Sequence, residues 1–121
     1  MAYRYVDRDL RARHVLACAT FEEERDKVWT VESELQVRVI ELLEVYTRVI
    51  NREAAATRRG VSDITCCIGG RFVAIELKDD KGTPSPQQLR YLEKVEESGG
   101  IGGVCRTIGD VLDLLEKAIY P

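Results

Sequence analysis

The chain has little of what builds secreted, zinc-bound or membrane-spanning proteins. Its 121 residues include one histidine, one tryptophan, one methionine and three prolines, and nowhere do about 18 apolar residues run consecutively, as a membrane helix needs. The only early apolar run, Val15 to Ala19, is too short for the hydrophobic part of a secretion signal. Four cysteines, Cys18, Cys66, Cys67 and Cys105, form neither a CxxC pair nor a Cys/His zinc spacing. Cys66 and Cys67 are adjacent in an apolar run and would point to opposite faces of a strand, so all four read as free thiols in a reducing compartment, the cytoplasm. A single histidine, His14, removes the usual general base of Ser-His-Asp and Cys-His chemistry. The formal charge of −3 excludes a general cationic coat for nucleic acid, but it leaves room for a local basic track beside an acidic site.

What is present is a clear sequence of periodicities. Residues 1–30 read as an extension, with Tyr3 and Tyr5 alternating as on a short strand, a helical hint in Leu10, Val15, Leu16 and Ala19, and a solvated charged run from Glu22 to Lys27. Val31, Leu35, Val39, Leu42, Tyr46 and Val49 recur at steps of three and four, which predicts an amphipathic helix. Its far end, Tyr46 to Ile50, is rich in β-branched residues and turns toward strand. Asp63–Ile68 and Arg71–Leu77 are apolar runs separated by Gly69-Gly70, the pair a tight two-residue hairpin demands. A polar loop, Asp79 to Pro84, leads to a helix opened by Ser85-Pro86-Gln87-Gln88 and closed by Gly99-Gly100, with Leu89, Leu92 and Val95 on its buried face. A strand, Ile101 to Arg106, and a last helix capped by Thr107 and Asp110 complete an α/β fold, helices around a mixed sheet, over residues 31–121.

The hairpin carries the chemistry. With Gly69 and Gly70 as turn residues, cross-strand partners sum to 139, so Asp63 faces Glu76. Two carboxylates so placed are about 5 Å apart at Cβ and repel, unless a cation lies between them. Mg²⁺ prefers oxygen donors and usually takes only one or two protein carboxylates. The period of two puts Lys78 on the face of Glu76 and sends Val73, Ile75 and Leu77 to the other. Asp63, Glu76 and Lys78 together suit phosphodiester hydrolysis: a metal polarises the phosphoryl oxygen and lowers the pKa of a water, and the ammonium steadies that water or the developing charge.

Gly60-Val61-Ser62-Asp63, Glu76-Leu77-Lys78, Gly82 with Ser85 and Gln88, and Gly99-Gly100 before a final strand together resemble the VRR-NUC branch of the PD-(D/E)xK nuclease superfamily, from about Glu32 to about Leu115. The motif reads SD where the family has PD. The resemblance implies a restriction-endonuclease-like αβββαβα core. It also implies a Mg²⁺- or Mn²⁺-dependent endodeoxyribonuclease, with Asp63, Glu76 and the Leu77 carbonyl as metal ligands and Lys78 as catalytic lysine. Glu32, at the start of the first core helix, matches the family's additional acidic ligand, with Glu34 its neighbour. Gln88 matches the downstream glutamine while also completing a helix cap. Small stand-alone members imply a homodimer, in a bacterial or phage-infected cell, acting on branched DNA such as Holliday junctions. Symmetric cleavage of a junction needs two sites where one small domain has one, and residues 1–30 are the segment left to help build the interface. A silent module that binds nucleic acid or protein through the same fold is the alternative.

Residues 48–81 hold seven basic and five acidic side chains, a local excess of positive charge in an acidic chain. Arg52, Arg58, Arg59 and Lys81 are the candidate contacts to a DNA backbone. No aromatic residue interleaves with these arginines, which favours tracking along a duplex over stacking on single strands.

Overall fold

The computed structural model describes residues 3–53 and 63–120. One sheet holds four strands in spatial order β1 (Ile50–Arg52), β2 (Ile64–Ile68), β3 (Arg71–Leu77) and β4 (Ile101–Cys105). β1, β2 and β3 are antiparallel neighbours, whereas β4 runs parallel to β3. A parallel neighbour requires a crossover, and here that crossover contains helix α3 (Pro86–Glu97). Helices α1 (Tyr3–Thr20), α2 (Glu32–Leu43) and α4 (Ile108–Ile119) complete the chain, with a 3₁₀ turn at Glu22–Glu24. From α2 to α4 the order is αβββαβα, the mixed α/β core expected from the sequence. Among the described residues no helix is long and apolar enough to cross a membrane.

The glycine pair fixes the hairpin. Gly69 and Gly70 both adopt positive φ, 61° and 79°, a conformation that side chains with a Cβ resist. The ladder runs from Ile68↔Arg71 through Thr65↔Ala74 to Ile64↔Ile75. Its register sends Ile64, Cys66, Ile68, Val73, Ile75 and Leu77 into the main core, which α1, α2 and α4 share. Full burial of each such aliphatic side chain contributes about 1.5–3 kcal/mol. The opposite face is thinner: Ala74, Leu92 and Val95 form a small second core with Tyr91 and Val104 packed against it, and Glu76 belongs to this face. Both predicted helix caps form, with Ser85 Oγ accepting from Gln88 N–H and Thr107 Oγ1 from Asp110 N–H. All four cysteines are free, and adjacent Cys66 and Cys67 are respectively buried and exposed.

Four local expectations are corrected. Tyr3 and Tyr5 lie in α1, not on a strand; two alternating aromatics do not make a period. The buried stripe of α1 is Leu10, His14 and Ala17, leading to Phe21, while Val15 and Leu16 face outward. α2 ends at Leu43, and Val31 and Val49 are exposed. The chain tightens through Val45 N–H to Leu42 O and Tyr46 N–H to Leu43 O, so Tyr46 is buried from a turn, and the strand starts only at Ile50. Leu89 is exposed although Leu92 and Val95 are buried. Steps of three fall about 60° short of a full turn each time, which carries Leu89 off the face that Leu92 and Val95 share.

Candidate active site

Glu76 is the buried charged group of the thin face. Its side chain is 0% exposed near the end of β3, where the ladder holds it beside Val104. Gln88 Nε2 donates to Glu76 Oε2 at 3.0 Å, and Lys78 Nζ stands 3.5 Å from the same oxygen. Oε1 is buried with no hydrogen-bond partner. Burial foremost, and then the neighbouring Asp63 carboxyl, push the Glu76 carboxyl up to about 8, while Lys78 pulls the other way. A divalent cation beside Glu76 would favour its charged form against that burial.

Asp63 lies just before β2, diagonal to the end of the ladder. Its Oδ2 accepts from Leu77 N–H at 2.9 Å, and its own carbonyl accepts from Glu53 N–H at 2.9 Å. The expected Asp63 and Glu76 strand pair is not part of the ladder, which ends at Ile64↔Ile75; the Asp63 side chain instead hooks onto β3 beyond that pair, and this keeps its carboxyl beside Glu76. Leu77 turns its side chain into the main core. Glu32, in the first turn of α2, is half-buried, and its carboxyl is raised by burial first and then by Asp63, with Lys78 opposing and Asp79 adding. Glu34 is exposed. Of the two helix-start acids, Glu32 is the one in the field of Asp63.

Among the described residues no three His, Cys, Asp or Glu side chains form a group that could hold a metal ion. What fits a hard cation is the pair Asp63 and Glu76: oxygen donors only, one of them a buried carboxylate oxygen lacking any partner. A pair of carboxylates completed by backbone oxygen and water is the donor set Mg²⁺ favours.

The basic residues divide. Lys81 is exposed in the loop after β3, its N–H donating to Asp79 Oδ1 at 2.9 Å. Arg52 pairs in register with Ile64, which puts it on the α2 side of the sheet, away from Glu76; its Nη2 donates to Gln36 Oε1 at 2.9 Å. With Arg48, Ile40, Glu44, Thr47 and Ile50 it lines a shallow groove of about 560 Å³. Arg58 and Arg59 lie outside the described residues. His14 is on the main-core side, 4% exposed, with Nδ1 2.6 Å from Tyr46 Oη and Nε2 3.5 Å from Glu116 Oε1. Sequence reasoning missed Arg106, whose Nη1 donates to the Asp79 carbonyl at 2.7 Å. A basic residue just past an apolar strand carries no signal of such a partner.

No protein-family model matches the chain, and no curated protein matches it. Among solved structures it is similar to one described as a "VRR_NUC domain protein", with a TM-score of 0.61 over 75% of this chain and 89% of that chain, at 19% identity. At that identity the likeness is one of fold, and it is the fold the motif order around Asp63, Glu76 and Lys78 led us to expect.

Proposed function

We propose that the protein is a Mg²⁺- or Mn²⁺-dependent endodeoxyribonuclease that hydrolyses phosphodiester bonds in branched DNA such as Holliday junctions. The observation that carries this reading is Glu76: a carboxylate on a sheet face, wholly buried, opposite Asp63, with one oxygen lacking any partner and a lysine beside the other. A buried carboxyl left so costs stability in any merely structural role. The likeness of fold to a VRR_NUC domain protein supports the same reading.

Asp63 and Glu76, with the Leu77 carbonyl, would hold the cation, which when bound polarises a phosphoryl oxygen and acidifies water; Glu32 borders Asp63 but does not join the two carboxylates in one ligand group. Gln88 keeps Glu76 Oε2 oriented through its amide N–H. Lys78, whose Nζ is 3.5 Å from Glu76 Oε2, would orient the attacking water and offset negative charge developing on the phosphorus oxygens. Arg58, Arg59 and Lys81 precede and follow the carboxylate motifs in sequence and would track the DNA backbone, whereas Arg52, on the other side of the sheet and bonded to Gln36, stands outside that track. Val15 and Leu16, exposed on α1, support a homodimer interface that includes residues 1–30.

The test is cleavage of a labelled four-way junction and a linear duplex of matching sequence, with Mg²⁺, Mn²⁺ or EDTA, beside Glu76→Gln and Asp63→Asn. We expect paired, metal-dependent cuts in the junction, reduced by about 10³-fold or more in either variant while junction binding persists. Cleavage by Glu76→Gln at the normal rate would refute the site. Binding without cleavage by the unaltered protein would favour the silent module.

A further inference from the structure

We infer that the turn from Asp79 to Gly82 is a brace that positions the Lys78 ammonium, and that Asp79 acts in it as a hydrogen-bond acceptor and not as a further acidic ligand. The inference rests on the reading of Lys78 as the lysine of the site. Asp79 Oδ1 accepts two backbone bonds, from Lys81 N–H at 2.9 Å and Gly82 N–H at 2.7 Å, and so folds the chain back on itself immediately after Lys78. That fold lays Gly82 against the aliphatic stem of the lysine. A Cβ on Gly82 would lie 3.2 Å from Lys78 Cδ, 3.5 Å from Lys78 Cβ and 3.3 Å from Asp79 Oδ1, closer to the first and last than side chains ordinarily tolerate.

The turn is also pinned from outside. Arg106 Nη1 donates to the Asp79 carbonyl at 2.7 Å, Asp80 N–H to the Trp29 carbonyl at 2.9 Å, and Lys78 N–H to the Cys105 carbonyl at 3.1 Å. Two separate parts of the chain, Trp29 and the adjacent pair Cys105 and Arg106, thus hold a loop whose inner wall is the path of one side chain. A free lysine samples many rotamers, yet the Lys78 side chain is only 17% exposed and its Nζ stands 3.5 Å from Glu76 Oε2. Asp79 borders Glu32 and adds to the negative field there, which would make it an obvious extra ligand, but one of its oxygens already serves two N–H donors. Asparagine presents the same acceptor without the charge, and this separates the two roles.

The experiment measures kcat and KM for junction cleavage by Asp79→Asn, Asp79→Ala and Gly82→Ala. Asp79→Asn should keep the kcat of the unaltered protein. Asp79→Ala and Gly82→Ala should lose about 10- to 100-fold in kcat at constant KM, the scale of a small misplacement of a reacting group. If Asp79→Asn falls as far as Asp79→Ala, the residue acts through its charge and the brace is overturned; full kcat in Asp79→Ala overturns it equally. A second readout needs no turnover: the Cε and Nζ resonances of Lys78 in isotopically labelled protein, assigned by Lys78→Ala. The unaltered protein and Asp79→Asn should share a signal distinct from exposed lysines, and Asp79→Ala and Gly82→Ala should move toward them. One unchanged Lys78 signal in all the proteins would overturn the brace whether or not DNA is cut. The expected signals in a protein that cuts no DNA would uphold the brace and overturn the nuclease reading alone.

Discussion

Gln88 reaches Glu76 from the first turn of α3, its Nε2 donating to Glu76 Oε2 at 3.0 Å while its Oε1 accepts from Ser85 N–H at 2.8 Å. Helix cap and site contact are one side chain, and the two can be separated. Gln88→Glu keeps an acceptor for Ser85 N–H but replaces the donor to Glu76 with a second carboxylate, so it should lower kcat by about 10- to 100-fold, as loss of an orienting partner does. Ser85→Ala removes the cap acceptor for Gln88 N–H and should cost about 1 kcal/mol of stability. Thermal melts and kcat measured on both variants check the division.

The raised Glu76 carboxyl links stability to pH. Its ordinary value is about 4.5 and its folded value about 8, so between these pH values the folded protein binds more protons than the unfolded one. Stability therefore falls as pH rises through that window and levels off above it. Glu32, shifted in the same direction, adds to the slope. Urea unfolding in EDTA from pH 5 to 8.5 should show the decline. Glu76→Gln should reduce it and be about 1–3 kcal/mol more stable than the unaltered protein at pH 8, the scale of an uncompensated buried polar group. Mg²⁺ at pH 8 should restore stability to the unaltered protein and not to Glu76→Gln.

The cysteines should react in a fixed order. Cys67 is exposed on β2, whereas burial raises the Cys66 and Cys105 thiols to about 12 and raises Cys18 more modestly. Because the thiolate is the reacting form, a brief treatment with an aromatic disulfide at pH 8 should modify Cys67 first and leave Cys66 and Cys105 free until the protein unfolds. Peptide mass mapping of the modified sites reads this directly.

The lone histidine should prove structural. His14 joins α1 to Tyr46 and to Glu116 of α4 on the main-core side. Tyr46→Phe strands a buried ring nitrogen and should destabilise by about 1–3 kcal/mol, with His14→Ala costing at least as much. Junction cleavage per folded molecule should not change. Denaturation curves paired with activity measured well below the midpoint separate the two effects.

How much of this was legible in the sequence depended on whether neighbours along the chain were neighbours in space. The register of β2 with β3 followed from Gly69-Gly70, because two turn residues leave no freedom in the pairing. The caps at Ser85 and Thr107 were legible for the same local reason. The stripe of α1 was not: His14 and Ala17 carry almost no hydrophobic contrast, so its buried face looked no different from its exposed Val15 and Leu16. Arg106 and Trp29 hold the loop that follows Lys78 from positions 27 residues downstream and 51 upstream of Asp79 and Asp80 respectively, contacts for which no period or spacing exists. Within the site, the Asp63 and Glu76 pairing came from register alone, but the burial of Glu76 came from α3 closing over the thin face through Gln88, Leu92 and Val95.

The hairpin also governs how the gene can change in length. Residues alternate faces along β2 and β3, so a single codon inserted or lost between Ile64 and Ile68, or between Arg71 and Ile75, would carry Asp63 or Glu76 around to the side packed with Ile75 and Leu77 unless a bulge absorbed it. Extra residues at Gly69-Gly70 would leave the carboxylates where they are, since the turn lies beyond the ladder. Insertions compatible with the site are thus confined to the tip, or come within the strands in pairs, which leaves the sequence separation of Asp63 and Glu76 free to vary and fixes only the parity of the stretch that each strand contributes to it.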